Sequence, residues 1–66
     1  MTYAEAIKAL RKKMLITQTE LAAQLGVAFV SVNRWEKGSY EPTMKIKRRL
    51  ASLFKTYQID LEDWLW

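Results

Sequence analysis

The segment Thr17-Gln18-Thr19-Glu20-Leu21-Ala22-Ala23-Gln24-Leu25-Gly26-Val27, followed eight residues later by Trp35-Glu36-Lys37-Gly38, constrains this chain more than any other feature. Thr17 and Glu20 have the spacing of a capping box, in which each side chain satisfies the other residue's backbone N–H at the start of a helix. Ile16 before the cap and Leu21 at the fourth helical position can form a hydrophobic staple. Leu21 and Leu25 point inward together, and the small Ala22 and Ala23 let a crossing helix come close. Gly26 stops the helix, because glycine tolerates the positive φ of a sharp turn. A second short helix is predicted from about Phe29 to Lys37 and closes at Gly38. Val32 and Trp35, three residues apart, form its inward edge, while Phe29, Val30, Asn33 and Arg34 lie toward the other side.

Three further helices are predicted around this pair. The first opens on another capping box, Thr2 with Glu5, and places Tyr3, Ile7, Leu10 and Met14 on one face. Lys8, Arg11, Lys12 and Lys13 lie opposite, three of them in the last turn, where cations oppose the negative helix end. After the loop at Pro42, Thr43 caps a fourth helix with Ile46, Leu50, Leu53 and Tyr57 inward and Lys45, Lys47, Arg48 and Arg49 crowding its first half. Asp60 caps a last short helix, with Ile59 and Trp64 at staple positions. No strand-like alternation is present, so the expected class is all-α. The expected unit is one domain, 1–66.

Charge and composition narrow the chemistry. Residues 1–55 carry all eleven basic residues against four acids (Glu5, Glu20, Glu36, Glu41), a net +7, whereas residues 56–66 carry Asp60, Glu62 and Asp63 with no base. Such a body attracts polyanions. The absence of cysteine and histidine excludes disulfides and an ordinary zinc site, and removes the usual nucleophiles and bases of an enzyme. No glycine-rich phosphate loop occurs, and the acids at 60–63 read as helix caps rather than a general acid/base pair. No cofactor, small-molecule ligand or membrane span is expected, and the cytoplasm is the expected compartment.

At this point the residues resemble a family. Leu10-Arg11, Thr17-Gln18, Glu20-Leu21-Ala22, Leu25-Gly26-Val27, Val32-Asn33-Arg34-Trp35-Glu36, Gly38 and Pro42 are similar to the Cro/Xre-type, lambda-repressor-like helix-turn-helix domains of phage and bacterial repressors. The resemblance covers about Tyr3 to Leu65. It implies a compact five-helix bundle with helices two and three as the helix-turn-helix, and a transcriptional regulator, a repressor by family habit, of bacterial or phage type at the nucleoid. It also implies that Gln18 contacts a phosphate and braces the reading helix, that Phe29, Val30, Asn33 and Arg34 face the major groove, and that Arg11 and Glu36 form a structural ion pair. Two positions depart from the family pattern. Leu15 stands where glycine is usual, and leucine at positive φ costs roughly 1 kcal/mol or more, so that turn is expected to take another shape. Ala28 stands where Ser or Thr usually caps the reading helix, and alanine cannot cap.

Physical chemistry supports the same assignment. A major groove ~12 Å wide admits one helix with its side chains. Arg34 can bond guanine O6 and N7, Asn33 can pair with adenine, and Phe29 and Val30 can pack on thymine methyls. Phosphate contacts are expected from Thr17, Gln18 and Thr19 at the start of helix two, from Lys37 and Ser39 after the reading helix, and from Lys45 and Arg48. An exposed Phe-Val pair also fits a protein groove, so an antitoxin-like or adaptor module is the second hypothesis. Trp64 and Trp66 are candidates for a dimer interface, because the family's repressors commonly bind as homodimers with reading helices about 34 Å apart.

Overall fold

The computed structural model describes residues 2–59. They form four α-helices: α1 (Tyr3–Met14), α2 (Gln18–Leu25), α3 (Phe29–Lys37) and α4 (Met44–Thr56). No strand occurs among the described residues, which is the expected all-α class. Four helices therefore stand where five were predicted. The predicted fifth, with Asp60, Trp64 and Trp66, lies outside the described residues.

Local chemistry sets the helix boundaries. At α1 the Thr2 hydroxyl accepts from Glu5 N at 3.2 Å while the Glu5 carboxylate accepts from Thr2 N at 3.0 Å. At α2 the Thr17 hydroxyl accepts from Glu20 N at 3.1 Å and the Glu20 carboxylate accepts from Thr17 N at 2.8 Å. Both capping boxes thus form. Gly26 and Gly38 end α2 and α3 at φ 71° and 80°, conformations that strain any residue with a Cβ. Ala28 starts α3 with no side-chain cap, as the residue type requires. Thr43 occupies the N-cap of α4, but its hydroxyl accepts no capping hydrogen bond, contrary to expectation.

Leu15 corrects a second expectation. Its turn does not change shape: Leu15 adopts φ 58°, ψ 45° and closes α1 as a left-handed cap. The side chain is 89% exposed, so it meets nothing that would force another conformation. Ile16 N donates to Arg11 O at 3.2 Å, and Arg11 Nη1 donates back to Ile16 O at 3.3 Å. Those two bonds hold the reversal that glycine would have adopted without strain.

The helices are short, and isolated helices below ~12–15 residues are marginal in water, so packing supplies most of their stability. α3 packs against both α1 and α2, and α1 also packs on α4. Ile7, Leu10, Leu21, Leu25, Val32 and Leu50 are buried together. On α4 the buried line is Ile46, Leu50 and Phe54, with Leu53 and Tyr57 only partly buried at its edge. Ile46 and Leu50 face the core as expected, but Phe54, four residues on from Leu50, continues the line in place of Leu53. Its ring lies 6.3 Å from that of Tyr3 and ties the end of α4 to the start of α1. Ala22 is buried but Ala23 is exposed, so one alanine, not two, permits the close approach of α3.

Candidate nucleic-acid interface

α3 has the two faces that a groove-binding helix needs. Val32, Trp35 and Glu36 are buried, and they fix the helix on α1 and α2. On the outer side Phe29 and Val30 are 49% and 47% exposed. Arg34 is exposed and Asn33 is partly buried. The four predicted base-reading residues therefore share one side of α3, with Asn33 nearest the body of the protein.

A chain of hydrogen bonds sets the angle of that helix. Arg11 on α1 donates from Nε to Glu36 Oε2 at 2.6 Å and from Nη2 to Glu36 Oε1 at 2.8 Å, a two-point fork. Gln18, first in α2, donates from Nε2 to the same Glu36 Oε1 at 3.1 Å. Its Oε1 accepts from Asn33 Nδ2 at 3.2 Å. Four side chains from three helices thus form one connected network that ends on the outer face of α3. The Glu36 side chain is only 4% exposed. Burial pushes its pKa up, but the bonds from Arg11 and Gln18 outweigh burial and hold it below the ordinary 4.5. The same pairing raises the Arg11 guanidinium above its ordinary value. The carboxylate therefore stays ionised in the fold, where both of its partners are donors.

Arg34, the other polar side chain on this face, is held differently. The guanidinium carbon of Arg34 lies over the ring of Tyr40, 5.3 Å from its centroid, within the ~6 Å reach of a cation–π contact. The chain reversal at Gly38 makes this possible. Ser39 N donates to the carbonyl of Arg34 itself at 3.1 Å, and Gly38 N reaches Trp35 O at 3.1 Å. The loop is thereby folded back onto the last turn of α3, and Tyr40 lands beside residue 34.

The basic residues divide into two groups. Lys37, Lys45 and Arg48 are exposed, as is Ser39. Others have partners within the fold, although Lys13 and Arg49 are exposed as well. Lys47 Nζ pairs with Glu41 at 2.8 Å and sits 4.7 Å above the Tyr3 ring. Arg49 Nη1 donates to Leu25 O at 2.8 Å and so closes the C-terminal end of α2. Lys13 Nζ does the same for α4 by donating to Tyr57 O at 3.0 Å. At the start of α2, Thr17 is engaged with Glu20 through both its amide and its hydroxyl, Gln18 joins the Glu36 network, and Thr19 is exposed.

Residues 7–62 match the sequence pattern of a family described as helix-turn-helix. The chain belongs to the helix-turn-helix family. In the terms of that family, α2 and α3 are the paired helices and Gly26-Val27-Ala28 the turn. The chain is 44% identical over 58 residues to the HTH-type transcriptional regulator DicA of Escherichia coli, across 88% of this chain and 41% of that protein. It is 36% identical over 64 residues to an uncharacterized HTH-type transcriptional regulator of Archaeoglobus fulgidus, across 91% of this chain and 90% of that one. The chain thus spans about two fifths of the bacterial relative's length and nearly all of the archaeal one's. No solved structure matches it.

Two contacts of this helix-turn-helix interface have no firm local rule behind them, although the family resemblance implied that Gln18 braces α3. The Gln18–Asn33 bond joins residues fifteen apart on different helices, and no local spacing rule reports it. The Arg34–Tyr40 contact had a weak signal, an aromatic residue two positions past the glycine that ends α3.

Proposed function

We propose that this chain is a single DNA-binding domain of a transcriptional regulator that binds double-stranded DNA sequence-specifically with α3 in the major groove. The observation that carries this is the split of α3 into a face locked in the core and a face of Phe29, Val30, Asn33 and Arg34 turned outward. The relatives' names as transcriptional regulators support it. In this mechanism Arg34 reads guanine and Asn33 adenine, while Phe29 and Val30 pack on thymine methyls. Gln18, Lys37, Lys45 and Arg48, with the hydroxyls of Thr17, Thr19 and Ser39, hold phosphates on either side. Arg11 and Glu36 touch no base and only set the tilt of α3. Binding alone suffices for repression by occlusion, in the cytoplasm and without catalysis. No helix among the described residues is long and apolar enough to cross a membrane.

The decisive measurement is selection of bound sites from random duplex DNA, followed by titration on the selected site at two salt concentrations. With three cationic phosphate contacts per copy, from Lys37, Lys45 and Arg48, a fourfold rise in salt weakens each copy's binding roughly 40-fold. Affinity that ignores salt would sink the proposal and favour the adaptor reading, in which the half-exposed Phe29 and Val30 enter a protein groove. Palindromic selected sites are expected, because a homodimer on DNA is part of the proposal. Analytical ultracentrifugation of Trp66→Ala on and off that DNA tests the tail's share in the dimer; association equal to the parent's in both conditions removes Trp66 from it.

A further inference from the structure

We propose that Tyr40, which lies outside α3, is a positioning residue for base discrimination: it holds the Arg34 guanidinium in place before DNA arrives. The inference rests on the base-reading role proposed above for Arg34. Three observations lead to it. The guanidinium sits over the Tyr40 ring at 5.3 Å. The Tyr40 loop is bonded to the backbone of Arg34 itself through Ser39 N, so the ring moves with the residue it holds. The ring is 61% exposed and Arg34 is exposed as well, so the stacked pair lies where an incoming duplex can reach it.

The physical consequence follows from what arginine loses on binding. A long side chain that must be ordered at an interface gives up rotamer freedom, and that loss is subtracted from affinity. Discrimination suffers as well, because a mobile guanidinium can turn from the base to a neighbouring phosphate. A cation held over an aromatic ring consumes no N–H donor. The planar fork therefore remains available for guanine O6 and N7. The partner residue Asn33 is held by Gln18 through a hydrogen bond. The two polar readers are thus restrained from opposite sides, one by the start of α2 and the other by the loop after α3.

The test uses the selected site and a panel of variants. Arg34→Ala first identifies the base pair whose preference depends on Arg34. Tyr40→Leu and Tyr40→Phe are then compared with the parent on the preferred site and on a duplex changed at that pair. Tyr40→Leu should lower the affinity ratio between the two duplexes by roughly two- to fivefold, the size of an exposed cation–π contact. It should leave the salt slope and thermal unfolding close to the parent's. Tyr40→Phe, which keeps the ring, should restore the ratio. A ratio unchanged in Tyr40→Leu, or affinity falling equally on both duplexes, overturns the inference while leaving Arg34 as a reader. If Arg34→Ala alters no base preference, the base-reading role itself falls and the inference falls with it.

Discussion

Glu36 decides more than any other single residue, because its buried carboxylate has donors on two sides. Removing Arg11 leaves an ionised group with little access to water, and breaking such a pair costs about 3–5 kcal/mol. For 66 residues at about 0.05–0.15 kcal/mol each, total stability is only about 3–10 kcal/mol. Arg11→Ala is therefore expected to be largely unfolded or strongly destabilised in thermal melts. Glu36→Ala should be milder, because the Arg11 side chain is 24% exposed and its guanidinium can turn to solvent. Equal losses from the two substitutions would count against an asymmetric, buried acceptor. Acid dependence follows the same carboxylate. Its pKa is lowered in the fold, so its contribution is present above the unfolded value and is lost as pH falls through the lower, folded one. Glu5 is also lowered, chiefly by its hydrogen bond to the Thr2 backbone, and adds to the same window. Stability should thus be flat above about pH 5 and fall below 4.5, and Glu36→Gln should flatten that fall without abolishing it. Chemical denaturation between pH 3 and 7 measures the difference.

Among the elements, the turn from α1 to α2 stores avoidable strain. Leu15 is left-handed and almost fully exposed, so its side chain contributes little packing while its Cβ crowds the backbone. Leu15→Gly should stabilise the fold by about 0.5–1 kcal/mol, the relief of left-handed strain less the extra chain entropy of glycine. Calorimetry should show the melting temperature rising by roughly 2–8 °C; a decrease would mean that the leucine has a packing role. The sequence was legible at most positions where a rule is local, the missing Thr43 cap bond being an exception. Thr2 with Glu5, Thr17 with Glu20, and the stops at Gly26 and Gly38 depend on neighbours within four residues, and they fold as read. It was illegible where the outcome depends on contacts between helices. Phe54, not Leu53, is buried beside Tyr3, and the Leu15 turn is bridged by the bond from Arg11 to Ile16 O. Within the candidate site, the outward side of α3 could be read from Val32 and Trp35 alone. The restraint of Asn33 and Arg34 follows from no local rule, since both partners lie on other elements; only the family resemblance pointed to Gln18 as a brace.

For the molecule as a whole, the basic surface has separable tasks, and neighbouring arginines make the contrast. Arg48 is exposed and proposed to meet phosphate, so Arg48→Ala and Lys45→Ala should each reduce the slope of log affinity against log salt by about 1 without changing base preference. Arg49 bonds Leu25 O, so Arg49→Ala should instead lower stability by about 1 kcal/mol and leave the salt slope near the parent's. If both arginines moved the slope alike, the division between scaffold and contact would be wrong. The network that reaches Asn33 also limits how this protein can diversify. Asn33 belongs at once to the outward face and to the bonds that run through Gln18 and Glu36 to Arg11, so a change of target acquired there disturbs folding in the same step. Phe29 and Val30 project half into solvent with no polar atom for the network to use. Drift toward a new operator should therefore pass through positions 29 and 30 first, and a lineage that replaces residue 33 should replace residue 18 with it.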